Sequence, residues 1–104
     1  MAQFQAYENP NRESKKSYPF LLDIQSSLVD QLNSTIVIPL APRKGLVLPI
    51  TKLTPLVQVN GAEFWVLTQQ ISGYDRRSLG PPIADLSIYR FEIIAAIDFV
   101  ISGV

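Results

Sequence analysis

The stretch 55-PLVQVNGAEFWVLTQ-69 decides how the rest of the chain is read. Two runs alternate between apolar and polar residues and meet at Asn60-Gly61. Asn and Gly tolerate the positive φ angles of a type I′ turn, whose twist matches that of the flanking strands. The stretch is therefore read as a β-hairpin. Its alternation also fixes Phe64 and Trp65 on opposite faces, one towards a core and the other more exposed, so Trp65 is read as a packing residue.

Working outward, the sequence 3-QFQAY-7 alternates as well, with Phe4 and Ala6 on one side and Gln3, Gln5 and Tyr7 on the other, and is read as the first strand. Glu8 to Ser17 holds no apolar residue and carries the turn formers Asn9 and Pro10, which marks a solvated loop. The runs 18-YPFLLDIQ-25 and 34-STIVIPLA-41 are rich in aromatic and β-branched residues and give the second and third strands. Ile36-Val37-Ile38 is continuous enough to be covered on both faces. From Pro42 to Pro55 the prolines and Gly45 rule against a regular central strand. Beyond the hairpin, 70-QISGYDRRSLGPP-82 has room for one more short strand before Gly80-Pro81-Pro82 breaks the backbone.

The last element is a helix, expected to begin near Ile83 or Asp85, with Asp85 at its positive end. At about 100° per residue, Leu86, Tyr89, Ile93, Ala96, Ile97 and Val100 share one face, the stripe of a helix lying on a sheet. The opposite face holds Ile88, Phe91, Ala95 and Phe99 among Glu92, Asp98 and Ser102. A helix apolar nearly all round belongs to a large core or is shared with a partner. A chain of 104 residues has no such core. Ile88, Phe91, Ala95 and Phe99 are therefore expected at a dimer interface. Strands first and one helix last predict a β-rich α+β fold, a small antiparallel barrel with one C-terminal helix, as a single domain over 1–104.

Composition narrows the chemistry. Nine basic residues balance nine acidic ones, so the large positive field of a non-specific nucleic-acid binder is missing. The chain has no Cys and no His, which removes disulfides, a thiol nucleophile, Cys/His zinc sites and imidazole catalysis. No cofactor or metal is expected. The opening 1-MAQFQAYENP-10 lacks a signal-peptide pattern, and no run is long and apolar enough for a membrane span, so a cytoplasmic location is expected. Asp23 and Asp30 lack a partner acid within reach and are read as solvent-exposed.

The order of 3-QFQAY-7, a polar loop containing "RES", 21-LLDIQSSLVD-30, 36-IVIPL-40, 82-PIADLS-87 and a terminal "AAID…GV" resembles the CcdB toxin family. The likeness covers nearly the whole chain in order and spacing. It implies an SH3-like β-barrel with a C-terminal helix, a fold shared with the Kid and MazF toxins, assembled as a homodimer. It also implies a toxin that performs no chemistry itself. Such a toxin binds the A subunit of DNA gyrase, traps the cleaved complex, and is neutralised by a CcdA-like antitoxin whose disordered segment folds on binding. Position by position, the gyrase contacts fall on Gln3, Phe4 and Tyr7, on Ser26, Leu28 and Val29, and on Asp98, Ser102, Gly103 and Val104. These groups converge if the first strand and the helix end sit together at the dimer axis. The terminal Ser102-Gly103-Val104 stands where the best-known family member has Trp-Gly-Ile, and Asp98 where a neutral amide is familiar. For the antitoxin, the loop residues Arg12, Lys15 and Lys16 suit an acidic, disordered peptide.

Two other readings share these residues. In a nuclease of the Kid and MazF type, Asp75, Arg76 and Arg77 supply an acid and a cation near a scissile phosphate. That signal is weak, because any turn holds such residues and a neutral chain steers RNA poorly. The third reading is a dimeric binding module that kept the fold and lost toxicity.

Overall fold

A computed structural model describes residues 3–26, 32–45, 48–50 and 52–103. Its strands are β1 (Gln5–Glu8), β2 (Phe20–Asp23), β3 (Ser34–Pro42), β4 (Leu56–Val59), β5 (Ala62–Val66), β6 (Ser72–Asp75) and β7 (Ala84–Asp85), followed by the helix α1 (Arg90–Ser102). The long strand β3 is the spine. One edge of it pairs with β2; the other pairs with β6 over Ser34–Val37 and with β5 over Leu40–Pro42. Pro39 falls where the partner changes from β6 to β5, so its missing N–H interrupts neither ladder. With β4 beside β5 and β1 and β7 beyond β2, the antiparallel sheet curls into a nearly closed barrel.

The hairpin forms as its sequence predicts. Asn60 and Gly61 have φ of 52° and 86°, and Val59 pairs with Ala62 across the turn. Phe64 is buried and Trp65 only half-buried, with the Arg43 guanidinium 6.0 Å from its ring. No strand forms in the described part of residues 43–55.

Three expectations need correction. The first strand starts at Gln5 because Phe4 adopts a left-handed conformation, φ 65°, which turns its ring into the core and lets its N–H bond the Asp23 carbonyl at 2.6 Å. Residues 83–86 are not yet helical. The free edge of β1 captures them: the Ile83 and Leu86 amides donate to the Ala6 and Phe4 carbonyls at 2.8 and 2.7 Å, and Ala84-Asp85 becomes β7. Asp85 caps the 3₁₀ turn that follows, accepting the Ser87 amide at 2.9 Å, and α1 begins only at Arg90. Lastly, Val37 and Ile38 are buried, but Ile36 is not covered on both faces, because Gly73 lies opposite it and offers no side chain.

Ala6, Leu22, Ile38, Leu40, Val57, Val59 and Val66 fill the barrel, and Phe4, Leu86 and Ile93 close it.

Candidate functional site

The helix presents two different faces. Ile93 and Ala96 are fully buried against the barrel, and the Tyr89 hydroxyl accepts the Gln58 amide at 3.1 Å, tying the helix start to β4. Tyr89, Ile94 and Ile97 pack around them. Val100, expected on this stripe, is exposed, since it lies a turn beyond Ala96, the last buried position. On the other face Ile88 and Phe91 are 79% and 86% exposed, and Ala95 is also in solvent. Phe99 is half-covered, with the Lys52 ammonium 5.8 Å from its ring.

The tip is held by the backbone. Gly103, at φ 75°, donates its N–H to the Phe99 carbonyl at 2.9 Å in a left-handed C-cap, and the Ser102 hydroxyl donates to the Asp98 carbonyl at 2.7 Å. Asp98, Ser102 and Gly103 are exposed. Val104 lies outside the described residues, as do Leu28, Val29 and Asp30.

The first strand does not meet this tip within the chain. Phe4 sits by the start of the helix, its ring 5.5 Å from the Arg90 guanidinium. Thirteen residues of α1 separate that end from the tip, about 20 Å at 1.5 Å per residue. Gln3 is half-buried and donates to the Ile24 carbonyl at 3.4 Å, which sets it beside the strand end that leads to Ser26. Phe4 and Tyr7, read as contact residues, are buried in the single chain, so they shape the surface from beneath.

Tyr7 is buried because the outer face of the sheet carries a second, polar core. Asp23, read as solvent-exposed, is 0% exposed there. Its Oδ1 accepts the Thr35 hydroxyl at 2.8 Å and the Gln25 amide at 3.0 Å, while Oδ2 lies 3.5 Å from Nη1 of Arg76. The alternation of β2 sends Leu22 inward and Asp23 outward, and neighbouring strands cover it. The proximity of Arg76 could not be read from sequence, because 53 positions separate the pair.

Burial holds the Asp23 carboxyl above its ordinary pKa, against the opposing pull of Thr35, the Gln25 amide and Arg76. Burial, reinforced by the Asp23 charge, also raises the Tyr7 phenol. A carboxyl that holds its proton more tightly when folded stabilises the fold below the ordinary carboxylate range, and that contribution disappears as pH rises through its folded-state value. The stability of the wild type relative to Asp23→Asn should therefore rise as the pH is lowered from about 7 to about 4, the range that spans an ordinary and a raised carboxyl. Urea titrations across that range measure it, and a difference independent of pH would refute it.

The acid and the cations of the nuclease reading are engaged. Asp75 accepts the Arg77 amide at 3.0 Å and forms a forked ion pair with its guanidinium at 3.1 and 3.2 Å, which lowers the Asp75 carboxyl. A general base at neutral pH needs the opposite shift. Arg76 is directed to Asp23. Among the described residues there is no cluster of acids that could hold a metal.

The polar loop is more ordered than its composition implies. Asn9, read as part of a solvated loop, is buried: its side-chain amide donates to Ser14 Oγ and the Tyr18 carbonyl at 3.0 and 2.8 Å and its Oδ1 accepts the Asn11 amide at 3.0 Å. One side chain thus replaces an apolar anchor for the whole turn. Around it Arg12, Lys15 and Lys16 are exposed, and Lys15 pairs with Glu8 at 2.9 Å. Glu8 pairs in register with Phe20, which borders a hollow of about 730 Å³ floored by the edge-to-face pair Phe20 and Phe64 and rimmed by Lys44 and the Arg43–Glu63 ion pair.

Compared with known protein families, residues 3–103 match the profile of the family described as CcdB protein. The chain belongs to the CcdB family. The match spans the first strand, the barrel and the helix to its C-cap, so both the exposed helix face and the tip lie inside the family domain. CcdB proteins are toxins of toxin–antitoxin pairs, and the barrel with one terminal helix agrees with the expected fold. A search among curated proteins gave no significant match. No helix among the described residues is long and apolar enough to cross a membrane.

Proposed function

We propose that this CcdB-family chain is a cytoplasmic, homodimeric toxin that binds the DNA-cleaving A subunit of DNA gyrase, traps the cleaved gyrase–DNA complex and performs no chemistry itself. The observation that carries the reading is the tip of α1: Asp98, Ser102 and Gly103 are exposed and held in a fixed C-cap on a rigid barrel, within the family match. A symmetric dimer offers two such tips to a symmetric enzyme. Binding only the open, cleaved form shifts the enzyme's population towards it, which blocks turnover without a reaction on the toxin. Serine in place of the family's aromatic leaves the backbone and Asp98 to supply much of the contact. The CcdA-like antitoxin is assigned to the basic loop of Arg12, Lys15 and Lys16, where an acidic segment finds cations beside the Phe20 and Phe64 hollow.

Purified protein mixed with gyrase, supercoiled plasmid and ATP, then denatured and run on a gel, should yield linear DNA in proportion to dose. Deleting Gly103 and Val104 should abolish it. Absence of linear product from a folded dimer would refute gyrase poisoning. RNA cleavage lost in Asp75→Ala would favour the nuclease instead, and no effect on either nucleic acid would favour a binding module.

A further inference from the structure

The ion pair of buried Asp23 with partly exposed Arg76 sits where it joins both feet of the connection between β2 and β3. On the exit side, Asp23 Oδ1 accepts the Gln25 amide at 3.0 Å. On the return side, Arg76 donates its backbone N–H to the Asn33 carbonyl at 2.7 Å and its Nε to the Leu32 carbonyl at 3.3 Å. The guanidinium then reaches Asp23 through Nη1 at 3.5 Å, and Gln25 Nε2 crosses to the Ser34 carbonyl at 3.2 Å. Each partner thus grips one foot of the connection, and their mutual contact ties the feet together.

We propose that Asp23 and Arg76 are positioning residues, a polar clamp that holds the two feet of the β2–β3 connection, Gln25 on one side and Leu32 to Ser34 on the other, for recognition of the toxin's target. The target assignment rests on the function proposed above, since Ser26, next to the Gln25 foot, is one of the expected target contacts. Stability alone is a poor reason for such a pair, because well-packed apolar side chains of similar size usually serve a fold equally well. What apolar side chains cannot do is hold backbone groups at both feet. The choice of Arg follows from its fork: separate nitrogens of one planar group meet the Leu32 carbonyl and the Asp23 carboxylate, whereas a Lys ammonium is a single point. The clamp also gives the "DRR" turn two separate uses, Asp75 and Arg77 closing on each other and Arg76 turning inward.

Truncating Arg76 alone strands a buried carboxylate, so the informative variant is Asp23→Asn combined with Arg76→Met, which removes both charges together. Two measurements are made on it, on Arg76→Lys and on the wild type. The first is amide hydrogen exchange without any target. In the double variant the Gln25 amide and the amide of residue 76 should exchange at least about tenfold faster while Leu22 and Val66 in the core are unchanged, as expected for local opening. The second is affinity for the purified DNA-cleaving subunit of gyrase, which should fall at least about tenfold in the double variant although its melting temperature stays near that of the wild type. Arg76→Lys should fall between the two on both measures. Unchanged exchange at Gln25 and residue 76 would overturn the clamp. Affinity that returns together with stability in the double variant would reduce the pair to a structural role. If the wild type itself fails to bind that gyrase subunit, the target assignment falls, and the exchange measurement still decides whether the clamp exists.

Discussion

Placing charge on the exposed apolar pair formed by Ile88 of the 3₁₀ turn and Phe91 of α1, in the double variant Ile88→Glu with Phe91→Glu, is expected to leave the protein folded and make it monomeric. Both side chains are almost fully exposed in the single chain, at 79% and 86%, so neither contributes to the packing of its own barrel. Large apolar side chains exposed three residues apart, one on the 3₁₀ turn and one on the first turn of α1, mark an interaction surface. Buried at the centre of an interface, an aromatic anchor costs about 2 kcal/mol or more when it is truncated, and a desolvated carboxylate costs further. The pair of substitutions should therefore raise the dimer dissociation constant at least about a hundredfold. Sedimentation equilibrium measures this directly, with circular dichroism to show that the fold persists. A dimer of unchanged affinity would place the interface elsewhere, and an unfolded product would show that the two side chains pack in a way their exposure contradicts.

The second large effect lies on the opposite face of the same helix. Ile93→Ala should destabilise the fold by about 2–5 kcal/mol, as expected when a fully buried Ile leaves a cavity. The loss is large beside the roughly 5–15 kcal/mol that holds a typical domain together. Thirteen residues are too few for α1 to be stable by itself, so its helicity depends on packing. That packing rests on Ile93 and Ala96, with Tyr89, Ile94 and Ile97 only partly covered. A domain near this size loses about 4–8 °C of melting temperature per kcal/mol, so a shift of at least about 8 °C should be seen in a thermal melt. Because the tip is carried by this helix, poisoning activity should fall at temperatures where the variant is partly unfolded. A shift below about 3 °C would mean that the barrel collapses onto the smaller side chain and that the helix is anchored by other contacts.

Sequence alone determined those parts of this protein whose causes are local. Asn60-Gly61 makes its own turn, alternation in the two flanking runs puts Phe64 and Trp65 on opposite faces, and the 3.6-residue period puts Ile93 and Ala96 on one face and Phe91 on the other. The ordered series of such segments was also enough to place the chain in its family. Tertiary structure alone decided the rest. An open edge on β1 turned the expected first turn of helix into β7, and a glycine across the ladder left Ile36 uncovered. Asn9 became the buried peg of a loop whose composition reads as solvated. Most consequential is Asp23, read as solvent-exposed for want of a partner acid but fully buried, because Thr35, Tyr7 and Arg76 meet it on the folded sheet. The physical reason is range: backbone propensity and side-chain period act between near neighbours, whereas desolvation and charge pairing depend on whichever residues the folded chain brings together, here 53 positions apart.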